Sequence, residues 1–304
     1  MRHPDTEGAG GTKMVAWLRV LASGSSGNCS VVVMPGTSGP RAVLIDAGLS
    51  PRRTERLLSA CGLSLANISG VLLTHLDTDH WNSGWVSAWP RRWLLWLGDR
   101  HAAYAKRRRL IPLEAYRTFA DTPFEPEAHL RIIPLLASHD ELGVAGFRME
   151  VSREGWLGSL GFATDLGRVP QAFLDTLRGV DVLAIESNYC PRMQMASARP
   201  WHVKQRIMGG HGHLSNEQAL EAIHAIAPRE HVVLLHLSRQ CNDPGLVASM
   251  HAGSDYALTI SSQETATRWV GIPAKTAGEA PIPVVTRGQM EMFPAGMAGG
   301  IRGA

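Results

Sequence analysis

The sequence predicts an α/β protein built as a four-layer αββα sandwich, with its chemistry at the ends of strands. Three observations carry that prediction. Three short apolar segments near the start, separated by Gly/Ser/Pro turns, read as an antiparallel meander. Strands and helices are then mixed through both halves of the chain. Finally, five separate strands end in a histidine or an acid, where a rigid scaffold meets solvent and can hold ligands in place.

The chain has 304 residues, 44% of them hydrophobic, which fits one large domain with tails better than two full domains. A formal charge of +3 and a pI near 8.8 suit anionic substrates without marking an obligate nucleic-acid binder. Cys29, Cys61, Cys190 and Cys241 are scattered with no CxxC pair. That argues against a disulfide framework and against a cysteine zinc site. No run approaches a membrane span and no signal sequence opens the chain. A cytoplasmic enzyme with no membrane partner is therefore expected.

Residues 1–13 read as a disordered leader, 14–274 as the folded domain and 275–304 as a flexible tail. Strands are expected at 15–21, 29–34 and 41–45. The Ser/Gly turn at 23–28 lacks a Gly-Lys-Ser/Thr ending and leads into a strand, so it is not a phosphate loop. Asp46 closes the third strand, either as a turn residue or as a support for a metal loop. A helix is expected at 51–61. The apolar strand at 68–73 then delivers Thr74-His75-Leu76-Asp77-Thr78-Asp79-His80. Imidazoles and carboxylates so crowded at a strand end repel or desolvate one another unless a cation neutralises them.

Trp81, Trp85 and Trp89 recur at a spacing of four, which predicts one face of a helix. A strand follows at 93–97. Lys106-Arg107-Arg108-Arg109 reads as a solvated face, with guidance of a polyanion as its functional alternative. Residues 110–130 are broken by proline and show no pattern. The strand at 130–136 ends at Ser138-His139-Asp140. Two further strands, 146–151 and 158–163, follow, and the second ends at Thr164-Asp165. A helix at 170–177 precedes a strand at 180–185 that ends at Glu186. Ser215 caps a helix to about residue 227, and the strand at 231–235 ends at His236.

The strand ends are expected to converge on two metals. His75, Asp77 and His139 are assigned to one, Asp79, His80 and His236 to the other, with Asp165 bridging. Nitrogen and oxygen donors suit zinc, iron or manganese better than calcium or magnesium. Two cations roughly 3.5–4 Å apart activate a water and stabilise both the attacking and the leaving oxygen. Asp79 is counted with the catalytic groups as well as with the ligands. His213 lies just ahead of a helix N-terminus and is read as a general acid, with Glu186 orienting and charging it. His211 and His213 also read as an HxH ligand pair, but the other donors already fill two sites, so His211 is taken as a bystander.

These residues, with Leu21-Ala-Ser-Gly-Ser-Ser-Gly-Asn28, Leu44-Ile-Asp-Ala-Gly48, Thr164-Asp-Leu-Gly167, Glu186-Ser-Asn188, Lys204-Gln-Arg-Ile207, Gly212-His-Leu-Ser-Asn216 and His236-Leu-Ser238, resemble the metallo-β-lactamase superfamily. More narrowly, the chain resembles its YycJ-type members, a group related to ribonuclease Z. The resemblance implies the αββα fold, a dinuclear metal centre and phosphodiester hydrolysis, with DNA exonuclease activity in repair. It also implies that His213 protonates the leaving group with help from a glutamate. Two departures stand out. Asp77 occupies the middle histidine of the usual HxHxDH motif, which makes that site harder and favours manganese or iron beside zinc. Tyr189-Cys190 replaces the usual His-Asp after Glu186-Ser-Asn188, and Cys190 is read as a buried thiol.

The sequence reading is thus a hydrolase with two divalent metal ions that cleaves phosphodiester bonds, acting on nucleic acid as a DNA exonuclease-like enzyme. The alternatives are a hydrolase of a small phosphodiester or ester, a degenerate non-catalytic metal-binding protein, and a diiron redox protein. The expected partners are nucleic acid or a small phosphodiester, and a homodimer is compatible with the sequence.

Overall fold

The computed structural model describes residues 13–36, 39–137, 141–210 and 212–276. The first half builds β1 (Met14–Ala22), β2 (Cys29–Met34) and β3 (Arg41–Ile45), paired antiparallel as the meander predicts. Next, β4 (Ile68–Leu72), β5 (Leu94–Gly98) and β6 (Tyr116–Phe119) extend this sheet in parallel. Their crossovers carry α1 (Pro51–Ala60), α2 (Trp85–Ala88) and α3 (Asp99–Arg108). The second sheet opens with β7 (Phe124–Glu127), β8 (Leu130–Ala137), β9 (Val144–Arg153) and β10 (Trp156–Ala163), all antiparallel. It continues in parallel through β11 (Val182–Glu186), β12 (His231–Leu235) and β13 (Ala257–Ile260). Between these strands lie α4 (Gln171–Leu177), α5 (Pro191–Ala196), α6 (Trp201–Met208), α7 (Asn216–Ile226) and α8 (Pro244–Met250). Finally β14 (Val270–Pro273) returns to the first sheet beside β1, and β15 (Lys275–Thr276) pairs with β10.

Strand alternation explains the layering. In β2, Val32 and Met34 enter a core between the sheets while Val31 and Val33 face a second core on the outside. In β3, Val43 and Ile45 point inward, Ala42 and Leu44 outward. β11 and β12 repeat the rule: Val182, Ala184, Val233 and Leu235 lie between the sheets, and Leu183, Ile185, Val232 and Leu234 face a third core. Strands covered on both faces read as continuous apolar runs. The outer cores are closed by Leu58, Trp85 and Ala102 on one side and by Phe173, Ile223 and Val247 on the other. Each fully buried side chain of this size contributes about 1.5–3 kcal/mol, so two-faced strands rather than helix propensity hold the four layers together.

The structure corrects several local expectations. The tryptophan helix is a single turn, because Pro90 biases Trp89 to an extended conformation, observed at φ −64°, ψ 122°. The indoles still pack together, with centroids 5.3–6.2 Å apart, and each N–H finds a backbone carbonyl. The unpatterned stretch 110–130 contains β6 and β7. The helix α3 ends in Lys106, Arg107 and Arg108, where cations complement the helix dipole, and the run is exposed as expected. Order continues past residue 274: Lys275 Nζ lies 2.7 Å from Asp181 Oδ1. Residues 1–12 of the expected leader and 277–304 of the expected tail lie outside the described residues.

Candidate metal centre

The ends of β3, β4, β10, β11 and β12 meet at one edge of the sandwich, where the chain turns sharply. Asp46, Asp165 and His236, each one residue or two beyond a strand, have φ of 62°, 54° and 56°. The left-handed conformation is tolerated best by Asn, Asp and His and carries strain of the kind concentrated at functional sites.

Asp46 fixes the loop at residues 74–80. One carboxylate oxygen accepts from the Thr74 backbone N–H at 2.8 Å and from its hydroxyl at 2.9 Å. The other lies 2.7 Å from His80 Nδ1. With Nδ1 so engaged, the Nε2 of His80 faces the centre, 2.9 Å from Asp165 Oδ2 and 3.6 Å from Asp79 Oδ2. A carboxylate behind an imidazole is the usual device for orienting a metal-binding histidine. The two readings of Asp46, turn residue and support, therefore coincide. Glycine is required at residue 48 by close approach: a Cβ there would lie 1.8 Å from the carbonyl oxygen of Asp79.

His236 arrives from the second sheet. Its backbone N–H donates to Ser23 Oγ at 2.8 Å, tying it to the end of β1. Its Nε2 lies 3.2 Å from Asp79 Oδ2 and its Nδ1 3.2 Å from Asp165 Oδ1. Asp165 Oδ1 is also 3.2 Å from His213 Nδ1, so this carboxylate stands between the imidazoles of both sheets. Glu186 is fully buried. Its Oε1 lies 2.6 Å from His213 Nδ1, and its Oε2 accepts from the Leu166 N–H at 2.8 Å. The side chain of His213 is 22% exposed, the open edge of an otherwise closed cluster.

The electrostatics follow from this packing. Burial by itself pushes Asp165 up, but the charges of His236 and His80 and the hydrogen bonds from His213 and His80 hold it well below the usual carboxylate range. Burial likewise raises Glu186, and the charge and hydrogen bond of His213 more than reverse it. For Asp79, burial is outweighed by the hydrogen bond with His236 and by the charge of His80. The imidazoles move the other way. Against burial, the charge of Glu186 and hydrogen bonds to Asp165 and Glu186 raise His213 to about 10. Against burial, Asp165, Asp79 and Glu186 raise His236 to about 9, and Asp165 and Asp46 hold His80 well above its ordinary value.

Imidazolium protons thus neutralise buried carboxylates that would otherwise be costly to desolvate. A divalent cation does the same task with the same donors. Three sets of ligand atoms lie within 4.8 Å of one another: Asp79, His80 and His236; His75, His80 and Asp165; and Asp165, Glu186, His213 and His236. All are nitrogen or oxygen donors, so the residues fit zinc, iron or manganese. The first set coincides with one predicted ligand group. In the other predicted group, His75 packs against His80 with ring centroids 4.1 Å apart. Asp77 lies 3.8 Å from His75 Nε2 with its side chain 42% exposed, outside the three sets. His139 and the bystander His211 lie outside the described residues. Cys190 is buried and belongs to none of these sets; its backbone N–H donates to the Cys241 carbonyl at 2.8 Å.

This fold and donor set agree with the family comparison, in which the Beta-lactamase superfamily domain matches residues 41–237. The chain belongs to that superfamily. Within the metallo-β-lactamase fold it is a metal-dependent hydrolase of the YycJ type. It is 29% identical over 228 residues to Exodeoxyribonuclease YycJ of Bacillus anthracis, covering 73% of this chain and 83% of the relative. It is 26% identical over 273 residues to Exodeoxyribonuclease WalJ of Streptococcus pneumoniae, covering 82% and 95%. Among solved structures, the metallo-beta-lactamase fold protein YhfI of Bacillus subtilis superposes with a TM-score of 0.59 at 13% identity, covering 83% of this chain and 98% of that one. No helix among the described residues is long and apolar enough to cross a membrane.

The residue reading gave no role to Thr74, Asn28, Ser23, Thr164 or Asn188. Thr74 Oγ1 reaches both Asp46 and His75. The Asn28 amide lies 3.0 Å from His80 Nε2 and also donates to the Asp79 carbonyl. Thr164 donates to Asp165 at 2.8 Å, and Asn188 to the His236 carbonyl at 2.7 Å. Each adjoins a ligand candidate or closes a turn in the sequence; nothing in its residue type distinguishes it from an ordinary turn residue.

Proposed function

We propose that this chain is a dinuclear metal-dependent phosphodiesterase that acts on nucleic acid, DNA foremost, in the cytoplasm. The observation that carries the reading is the His213–Glu186 pair at 2.6 Å, set at the open edge of a cluster of metal-capable side chains. Asp79, His80, His236 and Asp165 would hold one cation, and His75, Asp77 and His139, with Asp165 shared, the other. Bound cations supply an activated water and positive charge at the phosphoryl group. The chain does the rest. Asp46 and Thr74 keep His80 in the tautomer that presents Nε2. Glu186 keeps His213 protonated at neutral pH, and His213 gives its proton to the leaving oxygen.

An anionic substrate is supported by three arginines, Arg52, Arg53 and Arg56, which line an open surface hollow with Ser50 and Glu55. It opens at the start of α1, two residues past the Gly48 that abuts Asp79. The relatives named exodeoxyribonucleases point to the same substrate class.

The test is metal content by elemental analysis together with hydrolysis of bis-p-nitrophenyl phosphate and of an oligonucleotide. About two metals per chain are expected, and Asp165→Ala should lose both metal and turnover. A general acid matters most for a poor leaving group, because p-nitrophenolate departs with little need of a proton. His213→Ala should therefore lower oligonucleotide cleavage by about 10²–10⁴-fold and the activated ester far less. Substoichiometric metal, or equal loss on both substrates, would count against the reading.

A further inference from the structure

The segment from β11 to α7 is unlike the rest of the chain. Residues 187–216 contain Arg192, Arg199, Lys204 and Arg206 and no aspartate or glutamate. Its two helices add almost nothing to the cores: α6 buries no side chain and α5 buries only Gln194. Yet Met195 is 50% exposed and Trp201 57%, and Trp201 is the only aromatic among the exposed large hydrophobic residues described. An indole left in water is not explained by the packing of this fold.

The same segment is rooted on the candidate centre at both ends. It begins one residue after Glu186, and its far end closes where the His213 N–H donates to the Ile207 carbonyl at 3.0 Å. Arg199 braces it against Ser238, two residues beyond His236, at 3.4 Å, and against Gln194 at 3.2 Å. Lys204 donates to the Met195 carbonyl at 2.6 Å, holding α6 on α5. Arg192 and Arg206 remain exposed. Along α6, Trp201 lies about 9 Å from Ile207, which is two to three base steps of a stacked strand at about 3.4 Å each.

We infer that α5 and α6 form a single-strand platform: Trp201, with Met195, stacks the bases of a nucleic-acid strand whose phosphates Arg192 and Arg206 hold, feeding its scissile bond to His213. A cationic track with an aromatic face is the chemistry that holds single strands without reading sequence. This inference rests on the nucleic-acid reading above and goes further, in making the strand single and its holder the α5–α6 segment. It assigns Trp201 to binding and not to the reacting atoms.

The full-length, metal-loaded enzyme is titrated with a fluorescein-labelled phosphorothioate oligothymidylate and with a duplex of equal length, and bis-p-nitrophenyl phosphate hydrolysis is followed in parallel. Trp201→Ala should weaken single-strand binding about 5- to 150-fold, the equivalent of one lost stacking contact, and weaken duplex binding much less. Trp201→Phe should restore most of it. The double variant Arg192→Ala/Arg206→Ala should flatten the salt dependence by about 1.4 log units per log unit of salt. Turnover of the small ester should be unchanged in all three. Wild-type binding by Trp201→Ala, equal loss on the duplex, or no rescue by Trp201→Phe would overturn the platform and leave the phosphodiesterase reading standing. A wild-type enzyme that turns over the small ester but neither binds nor cleaves the oligonucleotide would overturn the nucleic-acid reading, and the platform with it.

Discussion

Replacing Asp46 by asparagine changes one oxygen to an amide nitrogen and leaves shape and volume almost untouched. Asp46 is 1% exposed and accepts from Thr74 N, Thr74 Oγ1 and His80 Nδ1 at 2.8, 2.9 and 2.7 Å. If the new NH₂ faces His80, two donors meet, and the imidazole proton must move to Nε2, the nitrogen that points at Asp79 and Asp165. If it faces Thr74, it meets the backbone N–H instead. Either way a hydrogen bond to a charged acceptor is lost, about 1.5–3 kcal/mol, and the matching fall in metal affinity is about 10–100-fold. The backbone should tolerate the change, because asparagine accepts the φ of 62° found here. Asp46→Ala is the comparison: it adds about 1–2 kcal/mol of left-handed strain and removes the tautomer bias without reversing it. Competition with a chromophoric chelator reads affinity, and thermal denaturation reads stability. Wild-type metal affinity in Asp46→Asn would refute the claim that His80 is presented to a cation by Asp46.

Two further outcomes follow from the same geometry. In the chelator-treated protein, His213 at about 10 and His236 at about 9 lie above the ordinary imidazole value near 6.5, so the folded state binds the extra protons. Their contribution is complete below pH 6.5 and is lost as pH rises through 9 to 10. Asp79, Asp165 and Glu186, held low, lose theirs as pH falls through the carboxylate range. Melting of the metal-free protein should therefore be highest at mildly acidic pH and decline towards pH 10, and a flat alkaline limb would contradict this balance. Asp77→His should raise the zinc share of metal bound after growth in mixed zinc and manganese, because it restores a nitrogen donor beside His75; an unchanged ratio by elemental analysis would separate residue 77 from the centre.

The fold was readable where one strand carried an unambiguous apolar run between turn residues. The strand at 231–235 is found at those residues, and the meander of β1 to β3 is present with the expected antiparallel pairing. Both are covered on two faces, so their hydrophobicity is continuous and their limits are set by Gly, Pro or charge. The misses have the opposite character. α5 and α6 bury next to nothing, so no periodic stripe announces them. β6 and β7 are four residues each and bury only Phe119 fully, too short and too open for a period to register. The spacing of Trp81, Trp85 and Trp89 predicts a helix, yet the same residues pack with Trp93 as a cluster of indoles. Periodicity reports burial on a face, and here the burial comes from ring packing and not from a regular element.

The candidate site was readable for a different reason. Ligand-type side chains at strand ends are a local signal, and Asp79, His80, Asp165, Glu186, His213 and His236 are brought together from 157 residues of chain between Asp79 and His236. What the sequence did not disclose is how the backbone aims them. Three of the turns are left-handed at non-glycine residues, a conformation for which Asp and His give only a weak prior. Nor could it disclose that the groups holding them are two threonine hydroxyls, two asparagine amides and a serine, residue types found in any turn. Asp77 is the residue that chain spacing alone does not place. The motif places it among the ligands by position, and in the structure it lies 3.8 Å from His75 Nε2 with its side chain 42% exposed. Spacing along the chain ranks it with Asp79, whose side chain is 21% exposed and lies 3.2 Å from His236 Nε2; the Asp46–Thr74–His80 bonds that hold this end of the loop in place have no signature in that spacing.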